Sequence, residues 1–181
     1  MSSPIYLAII NNCYVVSPEK LQADLANCIP HPISPIAIDI DLDLFYSGER
    51  NQYYSTLILS QLLTLFPKGG LKIVGVTNVD IYIPILTFLF GEAQLNGEAA
   101  LVSTYRLHNE FYGLPADKKL FYQRVLKEIL HELGHNFGLI HCSDYQCVMN
   151  SSTYVEDIDL KQPRFCPGCA AAAGFTCPGE Q

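Results

Sequence analysis

The sequence has no run of basic residues: eleven lysines and arginines stand against eighteen aspartates and glutamates, a net charge of −7. Without a basic face there is no electrostatic footprint for a nucleic acid and nothing to draw the chain to anionic lipid, so neither is expected as a partner. Long apolar runs are missing too. The first, Ile5 to Ile10, lacks a basic flank and is too short for the hydrophobic region of a signal peptide or for a membrane span, so a cytoplasmic protein is expected. No internal repeat or linker breaks the chain, and 181 residues suffice to bury a sizeable core as one unit. A single domain, 1–181, is therefore expected, with a larger part, 1–138, and a smaller one, 139–181, in which cysteine, proline and glycine replace apolar runs.

What the chain does have is a concentrated set of metal-binding side chains. The stretch from His131 to His141 reads His-Glu-Leu-Gly-His-Asn-Phe-Gly-Leu-Ile-His. On a helix, His131 and His135 lie one turn apart, offset by roughly 40° and about 6 Å of rise, so both can reach one ion. If the helix ran on, His141 would sit about 240° around the axis from His135 and roughly 9 Å further along. The helix must end first, and Gly138 stands where a positive φ would turn the chain back. Three neutral histidines leave a tetrahedral zinc one open position for water, whose pKa falls to about 7 in such sites. Glu132, beside the first ligand, is placed to serve as general base.

Seven cysteines in a chain read as intracellular point to metal ligands or free thiols more than to a disulfide framework. Cys142, Cys147, Cys166 and Cys169 have the spacing to close a tetrahedral thiolate site for a structural zinc, pinning the tail to the end of the catalytic helix. Two disulfides among the same four are the alternative. Cys177 repeats the Cys-Pro-Gly tripeptide of Cys166 and is a possible substitute ligand, whereas Cys13 and Cys28 read as buried thiols. Two zinc ions per chain are thus expected, one catalytic and one structural.

The HExxHxxGxxH string followed closely by Met149 resembles the metzincin clan of zinc peptidases, whose Met-turn passes beneath the metal. Cys142, Cys147 with Met149 two residues later, and the pair Cys166 and Cys169 resemble the archaemetzincins within that clan. The sixteen residues between Met149 and Cys166 are one fewer than the usual family spacing. The resemblance is most specific from His131 to Cys169. It implies an α+β, metzincin-like zincin fold: a twisted mixed sheet with backing and active-site helices, plus a small irregular cysteine-rich C-terminal subdomain. It also implies a peptidase acting on an extended peptide or protein substrate, with Met149 as an apolar floor under the ligands; a monomer is expected. Endo- and aminopeptidase action both stay open. Two other readings remain: a thermolysin-like peptidase with Glu156 as third ligand, and a catalytically silent, zinc-stabilised peptide-binding module.

The element order reads as mixed α/β. Strands are expected at Ile5 to Ile10, Ile36 to Leu44 and Leu71 to Thr77, with helices from Pro18 to about Ile29 and from Asn51 to Phe66. Asp39, Asp41 and Asp43 alternate with apolar residues and read as a solvated face. Phe88 to Ala93 and Ala99 to Leu107 read as hairpin strands joined tightly through Asn96-Gly97, the first serving as cleft rim. A long helix from near Asp117 to Phe137 carries Phe121, Val125, Ile129, Leu133 and Phe137 as its core stripe. His31, His108 and Tyr154 are assigned no role.

Overall fold

The computed structural model describes residues 3–13 and 17–175; Cys177 lies outside the described residues. Ile5–Ile10 forms β1, the Ser17-capped Pro18–Ala26 forms α1, and Ile33–Ile38 forms β2. The strand expected from Ile36 to Leu44 therefore begins earlier and stops sooner. Pro35 is tolerated because β2 is an edge strand, where a missing N–H leaves no gap in a ladder. The strand stops where its partner does. β1 ends at Ile10, Asn11 and Asn12 take positive φ, and the Asn11 side chain binds both the N–H and the carbonyl of Ile40 at 2.8 Å. Asp39, Asp41 and Asp43 are left exposed in the connection and in a 3-10 turn, Leu42–Phe45.

Tyr46–Ser47 and Gln52–Tyr54 are the short strands β3 and β4, and α2 runs from Ser55 to Thr64. The helix expected from Asn51 starts four residues late because Asn51 takes positive φ and the next three residues pair with β3 and with β6, Ile81–Tyr82. β5 is Lys72–Thr77, β7 is Gly91–Ala93 and β8 is Ala99–Ser103. The last two form the expected antiparallel hairpin, though each is shorter than its apolar run, and Tyr105–Leu107 is a 3-10 turn. Its turn is wider than a two-residue one. Only Asn96 of the Asn96-Gly97 pair has positive φ, and its N–H reaches the His135 carbonyl at 2.8 Å, docking the loop onto the next helix.

That helix, α3, spans Lys118–Asn136 behind an Asp117 cap, and two short helices follow, α4 at Val155–Leu160 and α5 at Pro167–Ala172. The main sheet has the order β2-β1-β5-β8-β7, parallel except for β7. Both faces are covered, which explains the near-continuous apolar strands. Ile5, Leu7, Val74, Val76, Ala100 and Val102 pack with α1 and α3, while Ala8, Ile10, Ile73, Ala99 and Leu101 pack with α2. Val148, Met149, Val155, Ile158 and Phe165 belong to the same cluster as the α3 stripe, so the segment after Gly138 shares the core beneath the sheet. No helix among the described residues is long and apolar enough to cross a membrane.

Candidate active site

α3 is buried on two sides for different reasons. Val125, Ile129 and Leu133 press on the sheet, while Arg124, Lys127, Glu128, His131 and Glu132 are buried polar groups. Arg124 holds Asp159 through two hydrogen bonds of 2.8 and 2.7 Å, and Lys127 donates to the carbonyls of Ile158 and Asp159 at the end of α4. These charge-assisted bonds draw the C-terminal segment over the polar face.

At its C-terminus the helix closes in a Schellman motif. Gly138, at φ +85°, donates to the His135 carbonyl at 2.9 Å, and Leu139 donates to Gly134 at 3.0 Å. The reversal brings His141 back beside His131 and His135, with ring centroids 5.3 and 5.1 Å away. One ring nitrogen of each of the three histidines lies within 4.8 Å of the others. Nδ1 of His131 sits 2.8 Å from the Val148 carbonyl and Nδ1 of His135 sits 2.7 Å from that of Leu139. A carbonyl can only accept, so both Nδ1 atoms carry the proton and both Nε2 atoms present lone pairs. Those two Nε2 atoms lie 3.1 Å apart. Two lone pairs repel unless a cation lies between them, and tetrahedral zinc with bonds of about 2.0–2.1 Å would hold them roughly 3.3 Å apart. The donor set therefore fits zinc. Burial, reinforced by Lys161, holds His131 well below the usual imidazole range, which favours the neutral ring that a metal ion needs.

Glu132 follows His131 and is buried; burial, with Glu128 nearby, pushes its carboxyl well above the ordinary range. Its carboxylate lies under the backbone of Gly91 on β7, where a Cβ would come within 2.5 Å of Oε1. Both border a cavity of about 600 Å³, also lined by Phe88 to Ala93, the three histidines, Glu128, Ser152 and Lys161. Sequence reasoning missed Gly91, Glu128 and Lys161. Glu128 was legible in principle, since it lies one helical turn before Glu132.

Met149 is fully buried, with its sulfur against the Cα of Gly134 between the two helical histidines. A methyl group at position 134 would overlap that sulfur and press on Phe165. Gly134→Ala is therefore expected to destabilise the protein by about 1–3 kcal/mol despite alanine's better helix propensity, read as a lowered Tm.

The four cysteines Cys142, Cys147, Cys166 and Cys169 come together with their sulfurs within 4.8 Å of one another. Cys142 and Cys166 are 3.9 Å apart, near the roughly 3.8 Å edge of a tetrahedral thiolate zinc and far from a disulfide bond of about 2.0 Å. Backbone N–H groups point at the sulfurs: Asp144 at Cys142, Cys166 at Cys147, and Cys169 at Cys166, at 3.4, 3.3 and 3.5 Å. The six described cysteines are free thiols, with Cys13 buried and Cys28 partly so. Glu156 is exposed on α4 and is not grouped with the histidines. His108 stacks on Phe121 and His31 on Phe137, and Tyr154 is exposed.

Known proteins resemble this chain in both sequence and fold. The model of peptidase family M54 matches residues 42–173. The archaemetzincin of Methanocaldococcus jannaschii is 48% identical over 131 residues, covering 72% of this chain and 71% of that protein. A zinc-dependent peptidase from Methanocorpusculum labreanum superimposes with a TM-score of 0.85 at 30% identity, over 93% of this chain and 99% of that one. The archaemetzincin of Methanopyrus kandleri superimposes with a TM-score of 0.82, also at 30% identity, over 96% and 94%.

Proposed function

The chain belongs to peptidase family M54, and from that premise we propose that it hydrolyses peptide bonds with a zinc ion held by His131, His135 and His141 and with Glu132 as proton carrier. The observation that carries the reading is the 3.1 Å approach of two Nε2 lone pairs whose rings are each fixed through Nδ1. Zinc, when bound, supplies Lewis-acid polarisation of the scissile carbonyl and makes water nucleophilic near neutral pH. Glu132 takes the proton released as water attacks and returns it to the leaving amine; a carboxyl whose proton affinity burial has raised suits both transfers. Gly91 leaves the room that Glu132 needs. The substrate backbone lies extended along β7, the sheet edge that lines the cavity, by strand addition. Leu86, Leu95 and Ile140, exposed apolar residues at its border, receive neighbouring side chains.

A second zinc, held by Cys142, Cys147, Cys166 and Cys169, is structural. Met149 gives the histidine site an apolar floor.

Loss of the third ligand is the test of the metal assignment. His141→Ala should weaken zinc binding at the histidine site by at least about tenfold in a competitive chelator titration, leaving the cysteine-held ion in place. Glu156→Gln should leave both ions bound as tightly as in the wild type. The opposite ranking would favour a thermolysin-like ligand set and overturn the assignment.

A further inference from the structure

The cavity beside Glu132 holds three polar groups that hydrolysis does not use. Glu128 is buried on α3, and its Oε1 has no hydrogen-bond partner among the described residues. Lys161, just beyond α4, places its ammonium 3.8 Å from that oxygen, with side chains only 1% and 4% exposed for Lys161 and Glu128. That distance exceeds a hydrogen bond of about 2.7–3.2 Å. Among the described residues the Lys161 ammonium makes one hydrogen bond, to the Val148 carbonyl, and it is long at 3.4 Å. Ser152 Oγ is buried and, among the described residues, also without a partner. All three residues line the same cavity as His131 and Glu132. Buried polar groups with unused bonding capacity are costly, and at a cavity wall an incoming group can satisfy them.

Building on the peptidase reading above, we propose that this recess is the side-chain pocket that sets cleavage preference, and that it takes the carboxamide of a glutamine or asparagine in the substrate. The charges select it. A lysine or arginine side chain would gain Glu128 but meet the Lys161 ammonium, and a carboxylate would gain Lys161 but meet Glu128. An apolar side chain would leave both unsatisfied. A carboxamide donates N–H to Glu128 and accepts from Lys161 through its oxygen, bridging a gap too wide for the two residues to close themselves. Pockets built to hydrogen-bond discriminate strongly, because an analogue lacking the polar group strands their buried atoms.

The test is a positional peptide library digested by the zinc-loaded protein, with cleavage sites read by mass spectrometry. Glutamine and asparagine should be preferred about tenfold or more over leucine, glutamate and lysine at one position next to the scissile bond. Glu128→Gln should shift that preference toward acidic side chains and Lys161→Met toward basic ones. These are ratios within one sample, which partial unfolding or zinc loss does not imitate. Should either variant fail to fold, the affinities of zinc-loaded Glu132→Ala for matched Gln, Glu, Lys and Leu peptides read the same preference without turnover. Cleavage with no carboxamide preference overturns the pocket and leaves the peptidase reading standing. Carboxamide-selective binding without cleavage of any peptide does the reverse, and neither cleavage nor selective binding overturns both.

Discussion

Replacing Glu132 by alanine should reduce peptide hydrolysis by at least about 10²–10⁴-fold, the usual contribution of a general acid–base group, while zinc content stays at the wild-type level. Metal and proton carrier are separable because the three imidazoles converge without help from the Glu132 carboxylate. The helix is insensitive to the change, since alanine has the highest helix propensity and His131 and His135 keep their Nδ1 bonds to Val148 and Leu139. Stability should hold or rise. Glu132 is buried near Glu128, so its removal relieves both desolvation and like-charge repulsion. The measurements are kcat on a cleaved peptide, zinc by elemental analysis, and Tm on the same sample. Wild-type turnover by metal-loaded Glu132→Ala would rule out the proton-carrier role.

The separation between what the sequence discloses and what only the fold discloses follows from range. His131, Glu132, His135 and Gly138 lie within about two helical turns, so helix geometry alone relates them, and the need to reverse the chain for His141 follows from the same arithmetic. The cysteines are legible as ligand types by spacing. Their meeting depends on long-range bonds such as the Val148 N–H to the Arg164 carbonyl and the Gln162 N–H to the Gln146 carbonyl, both at 2.9 Å. Glu128 and Lys161 look like ordinary solvated charges until the C-terminal segment folds over α3. α4 and α5, six residues each, are too short to announce themselves by periodicity and are held by tertiary partners, as Lys127 holds the end of α4. β2 was obscured by Pro32 and Pro35, which are unremarkable at the entry and edge of a sheet.

Cys147→Ser should remove the cysteine-bound zinc and lower stability by several kcal/mol, against an upper bound of about 10–16 kcal/mol seen where a structural zinc organises a whole small domain. The effect should be large because Cys147 is the buried member of the four, and its sulfur also accepts the N–H of Cys166. The damage should not stay local. Cys142 adjoins His141, and the segment between Cys147 and Cys166 carries Met149, the Val148 carbonyl that orients His131, and Lys161. Releasing the thiolates should therefore loosen one wall of the cleft and the support of His131 and His141, two of the proposed ligands. A mild chelator should instead strip the open histidine site first and leave the fold standing, because three ligands on an already closed helix terminus do not hold the tail. Two zinc ions per chain at the start, one after mild chelation with Tm nearly kept, and a collapse of Tm in Cys147→Ser form the expected series. Hydrogen exchange across residues 142–175 should rise only in the last case. A full-stability Cys147→Ser protein, or a metal-replete wild type with disulfides and a single zinc, would show that the four sulfurs are not a structural metal site.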